Sequence, residues 1–541
     1  MPDDTRPAIP APPAAPKAPG DLSAHRALLD RLAQIVGPAN VATSDADRTF
    51  FAEDTFRSLE TPLGAVAPGT VDELSAVAAA CNAAGIAMVP RGGGYSYTDG
   101  YLHTRTASLT IETRRLNRII DINPTDMYVT VEVGCTWKAL DDALAPHHLR
   151  TPYWGPLSGH SSVVGGALSQ NSIFFGSGYY GTAAEQAIGL TVVLADGTIV
   201  PTGAHAIRHG KPFMKHYGPD LMGPFLADAG ALGFKALVTL RCIRRPTARR
   251  HISFAFPTAA AMAKAMSEMA REGIACESMG FDAGQQSARV TEAKRSFMED
   301  LRTLLKVIQT GGLMDGLRIA FAGRNYAKDV PYGMHCAIED KTEAGVASLL
   351  QQAKTICRDA GGHALPASIT RIVHADPFLP PDSILGPKGE RWVPVHCIVP
   401  LSVAETIIAA VQDLYARYKP RAAALNIRTG FLLVTVGNYG FLIEPVFFWP
   451  DARLGMYDRA IRPEHLARLE TFPANDEARA TVLEMRTALA DLFAAHGGVS
   501  FQIGKFYPYD TAREPAAWDF LKRFKALVDP KGLLNPGSLK L

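Results

Sequence analysis

Apolar residues recur at helical spacing in some stretches of the chain and gather in short runs in others. Helical spacing predicts a helix over residues 22–36. A second helix is predicted after Thr70, where Thr70 and Glu73 form a capping box and Gly85 supplies the stop. Short apolar runs bounded by turn residues predict strands at residues 86–90, 109–111, 127–133 and 234–242.

The Asp196-Gly197 pair lies between two apolar runs and predicts a β-hairpin, because Asp-Gly suits the tight turns that join antiparallel strands. The second half of the chain repeats a strand-then-helix order. Its predicted elements are a helix over 259–271, a strand over 393–398, a helix capped by Ser402 with Glu405, paired strands over 431–436 and 441–448, and a helix over 518–528. This mixture predicts an α+β fold, and 541 residues are enough for two domains.

Composition argues against several classes of protein. The 55 basic and 53 acidic residues give a net charge of +2, which leaves no footprint for nucleic acid or an anionic membrane. The seven cysteines form no Cys-x-x-Cys pair, which favours buried free thiols over disulfides or structural zinc. Residues 1–21, rich in Pro and Ala, are expected to be a disordered tail rather than a signal peptide. No apolar run is long enough to span a bilayer, so we expect a cytoplasmic protein.

Two glycine-rich segments carry the first chemical signal. The turn at residues 90–97 (PRGGGYSY) follows a predicted strand, and its three glycines let backbone N–H groups approach an oxyanion such as a pyrophosphate. A plain tight turn is the alternative; the pattern is neither a Walker loop nor the Rossmann G-x-G-x-x-G. Residues 155–181 are rich in glycine, irregular in pattern and partly apolar, as expected of backbone wrapped around a large ligand.

The order of these segments resembles the vanillyl-alcohol oxidase / p-cresol methylhydroxylase (PCMH) flavoprotein superfamily. The likeness rests on the glycine turn, on GLTVVLADG at residues 189–197 and on VDPKGLLNPG at residues 528–537, and it covers the chain from about Asp45 onward. It implies a PCMH-type FAD-binding domain at residues 22–247 and 500–541. It further implies an α+β cap, or substrate, domain with an antiparallel sheet at residues 248–499.

The resemblance also implies the cofactor contacts. The pyrophosphate of FAD would lie at the glycine turn, the flavin along the second segment, and the adenosine half beside two further glycines. The implied FAD-binding residues are Pro90, Arg91, Gly92, Gly93, Gly94, Tyr95, Ser96, Tyr97, Ser161, Ser162, Gly165, Gly166, Ser169, Asn171, Gly189, Gly233 and Asn535. Leu442 and Ile443 stand where vanillyl-alcohol oxidase has its flavin-linked residue, so we expect non-covalent FAD unless Tyr95 itself reacts.

Six residues are candidates for catalysis: Tyr95, His396, Glu444, Gln502, Lys505 and Tyr507. Tyr95 falls at the phenol-binding tyrosine of the family, and a plain wall residue is the alternative. Lys505 is either a cation that stabilises reduced flavin near N1 or a solvated surface lysine. Gln502, with Phe501, replaces the phenolate-binding Tyr-Arg pair of vanillyl-alcohol oxidase, and Tyr507 belongs to the same polar-aromatic run.

Two of these candidates lie in predicted cap strands. His396 is either catalytic or a satisfied core histidine. Glu444 is either a general base or the partner of Arg428 in an ion pair, because a bare buried carboxylate is costly. The histidine motifs of the superfamily's 2-hydroxy-acid dehydrogenases are missing, so we expect no metal site.

The preferred hypothesis is hydride abstraction from a phenolic, benzylic or allylic small-molecule substrate to flavin N5. A second hypothesis keeps FAD but oxidises a 2-hydroxy acid such as D-lactate or glycolate, and it requires an arginine for the carboxylate, with Arg324 or Arg371 as candidates. A third is a binding protein that keeps the fold without catalysis. Oxygen, a cytochrome or a quinone remains open as electron acceptor, and a homodimer is compatible with the family.

Overall fold

The computed structural model describes residues 17–285 and 330–541. Its first layer is a four-stranded mixed sheet, in which Ser108–Glu112 runs parallel to both of its neighbours. The strand order is Val41–Ala42, Gly64–Val66, Ser108–Glu112, Ala87–Arg91. The C-terminal segment docks on this sheet, where the Met88 N–H donates to the Leu533 carbonyl at 2.7 Å and the Asn535 N–H donates to the Met88 carbonyl at 2.8 Å.

A five-stranded antiparallel sheet completes the first half of the molecule. Its order is Ile119–Asn123, Tyr128–Glu132, Phe234–Arg241, Ala187–Val193, Ile199–Gly203. The predicted hairpin is confirmed: Gly197 turns the chain with a φ of +91°, and the Asp196 carboxylate accepts from the Thr198 N–H at 2.9 Å. A two-stranded ribbon, Leu149–Arg150 with Ile243–Arg244, leads into the second half.

The second half is built on an eight-stranded antiparallel sheet. Seven of its strands follow the order His363–Leu365, Ala248–Phe256, Tyr332–Asp340, Glu277–Asp282, Arg428–Val436, Gly440–Trp449, Arg391–Pro394, and Cys397–Pro400 also pairs with Gly440–Trp449. Apolar stripes of three long helices contribute to its buried core: Ala259–Arg271, Glu343–Asp359 and Ala404–Ala424. The α+β fold is therefore confirmed.

The other α-helices of the described residues are mostly short and surround these sheets: Arg26–Val36, Asp45–Phe51, Val71–Ala83, Trp137–Leu144, Val164–Ser169, Ser177–Tyr180, Ser368–Ala375, Gly455–Ala460, Pro463–Leu466, Asp476–Ala495 and Pro515–Val528. Two of them lie inside residues 155–181, which the sequence predicts as irregular throughout. All seven cysteines are buried free thiols, as predicted.

Two predictions for the second half were wrong. Residues 393–398 are not one strand, because Val395 and His396 interrupt it between Arg391–Pro394 and Cys397–Pro400. The Val395 N–H still donates to the Pro445 carbonyl at 2.9 Å. Ser402 does not cap the following helix. Pro400 holds an extended backbone and is followed by a 3₁₀ turn at Leu401–Val403, so the α-helix begins one residue later with Val403 as its N-cap.

Candidate functional site

A cavity of about 300 Å³ lies between the glycine turn, residues 156–174 and the cap sheet. One end is formed by backbone and small residues of the first half, and the other by apolar side chains of the cap together with aromatic side chains from both halves. The predicted cofactor residues that line it are Pro90, Arg91, Gly92, Gly93, Gly94, Tyr95, Ser96, Tyr97, Ser162, Gly165, Gly166, Ser169 and Gly233. The structure therefore brings both glycine-rich segments to one cavity.

The glycine turn lies too close to residues 161–163 for any side chain. A Cβ on Gly92 would come within 2.5 Å of Val163 Cγ2, and a Cβ on Gly93 within 2.6 Å of the Ser161 carbonyl oxygen. Gly94 has a φ of +78°, which other residues rarely adopt. The three glycines thus let the backbone of the turn form the floor of the cavity.

Arg91 supports this turn from behind. Its guanidinium donates to the carbonyl oxygens of Phe50 and Glu53, each at 3.2 Å, and stacks on the rings of Phe50 and Tyr101 at 4.5 and 4.7 Å. Burial lowers the pKa of Arg91. Its hydrogen bonds therefore hold the turn in place, although the residue also lines the cavity.

Four predicted cofactor residues lie outside the cavity wall. The Ser161 carbonyl packs behind Gly93, and the Asn171 side chain accepts from the Ala184 N–H at 3.3 Å. Gly189 lies in the five-stranded sheet, where a Cβ would come within 2.6 Å of the His205 ring. Asn535, the fourth, belongs to a tether behind the wall. Their predicted contacts with FAD stay predictions.

That tether joins the C-terminus to two wall segments. Lys505 Nζ donates to Asn535 Oδ1 at 2.6 Å, and Asn535 Nδ2 donates to the carbonyl oxygens of Gly100 and Ala229, both at 2.7 Å. Gly100 and Ala229 line the cavity, whereas Lys505 is buried behind it. The surface alternative for Lys505 is therefore wrong. Burial lowers the pKa of Lys505 to about 7, partly offset by Asp99 and Asp54.

Strand register places the cap residues at the other end. Leu442 and Glu444 are two apart on strand Gly440–Trp449, so they share a face, and they pair with Val434 and Leu432 of the neighbouring strand. All four line the cavity. The side chain of Ile443 points to the opposite face of the sheet and packs in the core that the helices cover.

Polar groups at this end are few. The phenols of Tyr95 and Tyr97 are both present here, and burial raises the pKa of each. Tyr95, Tyr97, Gln502 and Glu444 all line the cavity. The predicted Glu444–Arg428 ion pair is wrong, since Arg428 bonds to Glu390 at 2.8 Å.

His396 and Tyr507 form a layer behind the aromatic wall. The His396 backbone N–H donates to the Tyr507 hydroxyl at 2.8 Å, and its ring stacks on Phe501 at 3.9 Å. Burial lowers the pKa of His396 to about 3, so the ring is neutral at physiological pH. Neither residue lines the cavity, whereas Phe501 does. In this arrangement, His396 and Tyr507 do not face the cavity and affect it only by packing behind Phe501.

Neither predicted arginine is found in the cavity wall of the described residues, whereas several unpredicted residues are. Arg371 does not line the cavity, and Arg324 lies outside the described residues. The residues that line the cavity without having been predicted to do so include Gln170, Ser172, Lys235, Ile384, Leu432 and Val434. Gln170 and Ser172 belong to the second glycine-rich segment, which was the available signal. The others carry no local signal, because only strand pairing and loop packing bring them there.

The cavity fits FAD on structural grounds. The glycine turn and Gly166 present backbone without side chains, as close approach to a pyrophosphate requires, and the opposite end offers the apolar walls that a flat ring system needs. Within the part of the chain that the structure describes, no cluster of three or more His, Cys, Asp or Glu side chains could hold a metal ion. No helix of those same residues is long and apolar enough to cross a membrane.

Comparison with known families identifies the class. Residues 62–203 match the family described as "FAD binding domain", and residues 245–539, more than half of the chain, match "FAD linked oxidases, C-terminal domain". The chain belongs to the FAD-linked oxidases. It is therefore an FAD-dependent oxidoreductase of oxidase or dehydrogenase type, and the predicted cofactor is confirmed.

The names of individual relatives refer to different substrates. Glycolate oxidase subunit GlcD of Bacillus subtilis is 24% identical over 513 residues, 94% of this chain and 96% of its own. D-lactate dehydrogenase [cytochrome] 1, mitochondrial, of Saccharomyces cerevisiae is 27% identical over 261 residues, 47% of this chain and 43% of its own.

Solved structures share the fold. p-Cresol methylhydroxylase with bound substrate superposes with a TM-score of 0.70 at 15% identity, covering 96% of this chain and 97% of its own. 4-Ethylphenol oxidase from Gulosibacter chungangensis superposes with a TM-score of 0.67 at 15% identity, covering 97% of this chain and 99% of its own. The predicted PCMH-type architecture is confirmed, and at this identity the likeness concerns the fold alone.

Proposed function

We propose that the protein oxidises an aromatic alcohol or phenol-type substrate by hydride abstraction. The observation that carries this proposal is an aromatic wall built from both halves, where Trp392, Phe501 and Phe174 line the cavity together with the polar side chains of Tyr97, Gln502 and Glu444. A flat apolar ring fits such walls, and its hydroxyl group would meet the polar groups. Bound FAD supplies the hydride acceptor at N5.

The residues of this chain have positioning and proton-handling roles in the proposal. The aromatic wall excludes water and orients the ring of the substrate. The side chains of Tyr97 and Gln502, which both line the cavity, hydrogen-bond a substrate oxygen, and Glu444 accepts the hydroxyl proton as the carbon is oxidised. His396 and Tyr507 keep Phe501 in place from behind.

We further propose that FAD is bound non-covalently. Leu442 lines the cavity and Ile443 faces away from it, and neither side chain can form a bond to flavin. Acid precipitation should release all yellow colour into the supernatant. Colour retained in the pellet would indicate a covalent link, and Tyr95 would be the first residue to test.

The proposed domain boundaries are unchanged: an FAD-binding domain at residues 22–247 and 500–541 and a cap domain at residues 248–499, after a tail at residues 1–21.

A second candidate is oxidation of a 2-hydroxy acid, and the match to glycolate oxidase subunit GlcD along 94% of this chain favours it. It requires a cation for the carboxylate. Arg371 does not line the cavity, and Lys235, which does, is paired with Asp228 at 2.6 Å. Arg324, the other predicted arginine, lies outside the described residues. Oxygen, a cytochrome or a quinone can each take the electrons under either proposal, in a cytoplasmic monomer or homodimer.

An anaerobic titration of the purified yellow protein separates these functions. We expect 4-hydroxybenzyl alcohol to bleach the flavin band within seconds to minutes and D-lactate to leave it unchanged. Bleaching by D-lactate alone would replace the first proposal with the second. If dithionite bleaches the band but no alcohol or hydroxy acid does, a non-catalytic binding protein becomes the better account.

A further inference from the structure

A loop of the first half, residues 207–221, holds a cluster of large apolar side chains in water. It lies between the edge strand Ile199–Gly203 and the central strand Phe234–Arg241, and none of its residues lines the flavin cavity. The described residues include ten exposed large apolar side chains, and four of them belong to this loop: Phe213 (63% exposed), Met214 (50%), Tyr217 (84%) and Leu221 (64%). A cluster of this kind marks an interaction surface, whereas apolar residues exposed singly do not.

The loop is held at both ends, so its apolar side chains are exposed by a folded segment. At one end, Lys211 Nζ donates to Asp126 Oδ2 at 2.6 Å. At the other end, the Asp220 carboxylate accepts from the Met222 N–H at 2.9 Å and pairs with Lys215 at 3.2 Å. Met222 is fully buried and fixes this end in the core.

The helix Pro515–Val528 extends the apolar surface. Its Phe524 ring packs edge-on against Phe225, four residues after the loop, with ring centres 5.9 Å apart. Phe520 and Leu527 lie four residues before and three residues after Phe524, so the three side chains share one face of the helix. Phe520 is 68% exposed and Leu527 is 75% exposed. Six of the ten exposed large apolar side chains therefore lie on a loop and a helix that meet at Phe225.

The same surface has an excess of positive charge. Its charged groups outside the core are five basic and three acidic, a net charge of +2 (5 − 3): Arg208, Lys211, Lys215, Lys522 and Arg523 against Asp126, Asp220 and Asp519. This equals the net charge of the whole 541-residue chain. The near balance of charge along the whole sequence therefore gives no sign of this basic corner.

We propose that this loop–helix surface docks on the anionic face of a phospholipid bilayer. Lys211 and Lys215 lie within two residues of Phe213 and Tyr217, so each ring that enters the boundary between headgroups and acyl chains has a cation close to a lipid phosphate. Basic groups interleaved with aromatic rings suit a layer of headgroups above acyl chains. The docking is peripheral and uses side chains that the proposed oxidation does not.

Sedimentation of the FAD-loaded protein with phospholipid vesicles tests the proposal. Vesicles of phosphatidylcholine with phosphatidylglycerol should bind the protein about tenfold more tightly than vesicles of phosphatidylcholine alone. Raising the NaCl concentration from about 0.1 M to about 0.5 M should remove most of this preference, because salt screens exposed charges. Vesicle binding needs no turnover, so failure of the oxidation assay would not affect this result.

Two sets of variants separate the apolar and the charged contributions. Phe213→Ser with Tyr217→Ser should bind anionic vesicles about tenfold more weakly. Arg208→Gln with Lys211→Gln should lose most of the preference for anionic vesicles. All four residues are exposed, so flavin content and thermal stability should stay unchanged.

Val499→Ser is the matched control, because Val499 is 64% exposed on the cap, and it should bind like the unmodified protein. Absence of binding to both kinds of vesicle, equal binding to both, or an equal loss in Val499→Ser overturns the proposal. A dimer that Phe213→Ser with Tyr217→Ser dissociates, seen by light scattering without vesicles, overturns it as well, since a second copy of the chain would then cover the surface.

Discussion

At the scale of single residues, Gly166 offers the sharpest test of where the cofactor lies. It belongs to helix Val164–Ser169 and lines the cavity, and a Cβ there would meet no protein atom closer than Val163 Cγ2 at 3.7 Å. Gly166→Ala should therefore leave the unfolding free energy of the apo-protein unchanged or raise it by up to about 1 kcal/mol. The same methyl group enters the cavity, so affinity for FAD, measured by fluorescence titration, should fall.

Gly93→Ala is the matched comparison, because its Cβ would meet the Ser161 carbonyl oxygen at 2.6 Å. That variant should lose both apo-protein stability and FAD affinity, since the glycine turn must move away from residues 161–163. An unchanged FAD affinity in Gly166→Ala would contradict a cofactor packed along this helix.

The close backbone approach of the three-glycine turn could be predicted from sequence, whereas the contacts of Arg91 and Lys505 could not. Three glycines in a row point to close backbone approach wherever the chain folds. The orientations of the Arg91 and Lys505 side chains are set by residues distant in sequence. Arg91 donates hydrogen bonds to carbonyls 41 and 38 positions earlier, and Lys505 donates one to an asparagine 30 positions later. A long side chain reaches whichever acceptor the tertiary fold supplies, and sequence spacing does not contain that information.

At the scale of elements, two predicted helix caps had opposite outcomes. The Thr70 hydroxyl accepts from the Glu73 N–H at 3.1 Å, and the Glu73 carboxylate accepts from the Gly69 N–H at 2.7 Å. Ser402 lies within a 3₁₀ turn, and no side-chain bond caps the helix Ala404–Ala424. The Thr70 and Ser402 motifs are similar in sequence. Pro400, two residues before Ser402, has an extended backbone and is followed by a 3₁₀ turn, so the α-helix begins only after Ser402.

This difference predicts unequal costs for the same substitution. Thr70→Ala should lower the unfolding free energy by about 1 kcal/mol, because the first turn of helix Val71–Ala83 loses its cap. Ser402→Ala should change it by less than about 0.5 kcal/mol. Urea denaturation of the two apo-protein variants checks the difference, and a larger loss in Ser402→Ala would contradict the role assigned to the 3₁₀ turn.

At the scale of the whole molecule, a buried ion pair joins the two halves. Arg150, in the ribbon of the first half, contacts Glu339 of the cap strand Tyr332–Asp340 at 2.6 Å, with both side chains at most 2% exposed. Arg249 also contacts this carboxylate. Arg150 and Arg249 outweigh burial and lower the pKa of Glu339 to about 2. An unfolded glutamate has a pKa of about 4.3, so the pair contributes fully above that pH and loses its contribution as pH falls towards 2.

Arg150→Met removes one partner and leaves Glu339 with Arg249 alone, which should cost about 3–5 kcal/mol at pH 7. The cap sheet is then less firmly docked, so urea unfolding should begin earlier and proteolysis at the seam should accelerate. The difference from the unmodified protein should shrink as the pH falls from about 4.3 towards 2, because protonated Glu339 no longer needs the guanidinium. Arg421→Met removes an exposed partner of Glu484 and should lower the free energy of unfolding by less than about 1 kcal/mol, both at pH 7 and at acidic pH. Equal losses in the two variants would mean that burial at the seam does not determine how the halves are held together.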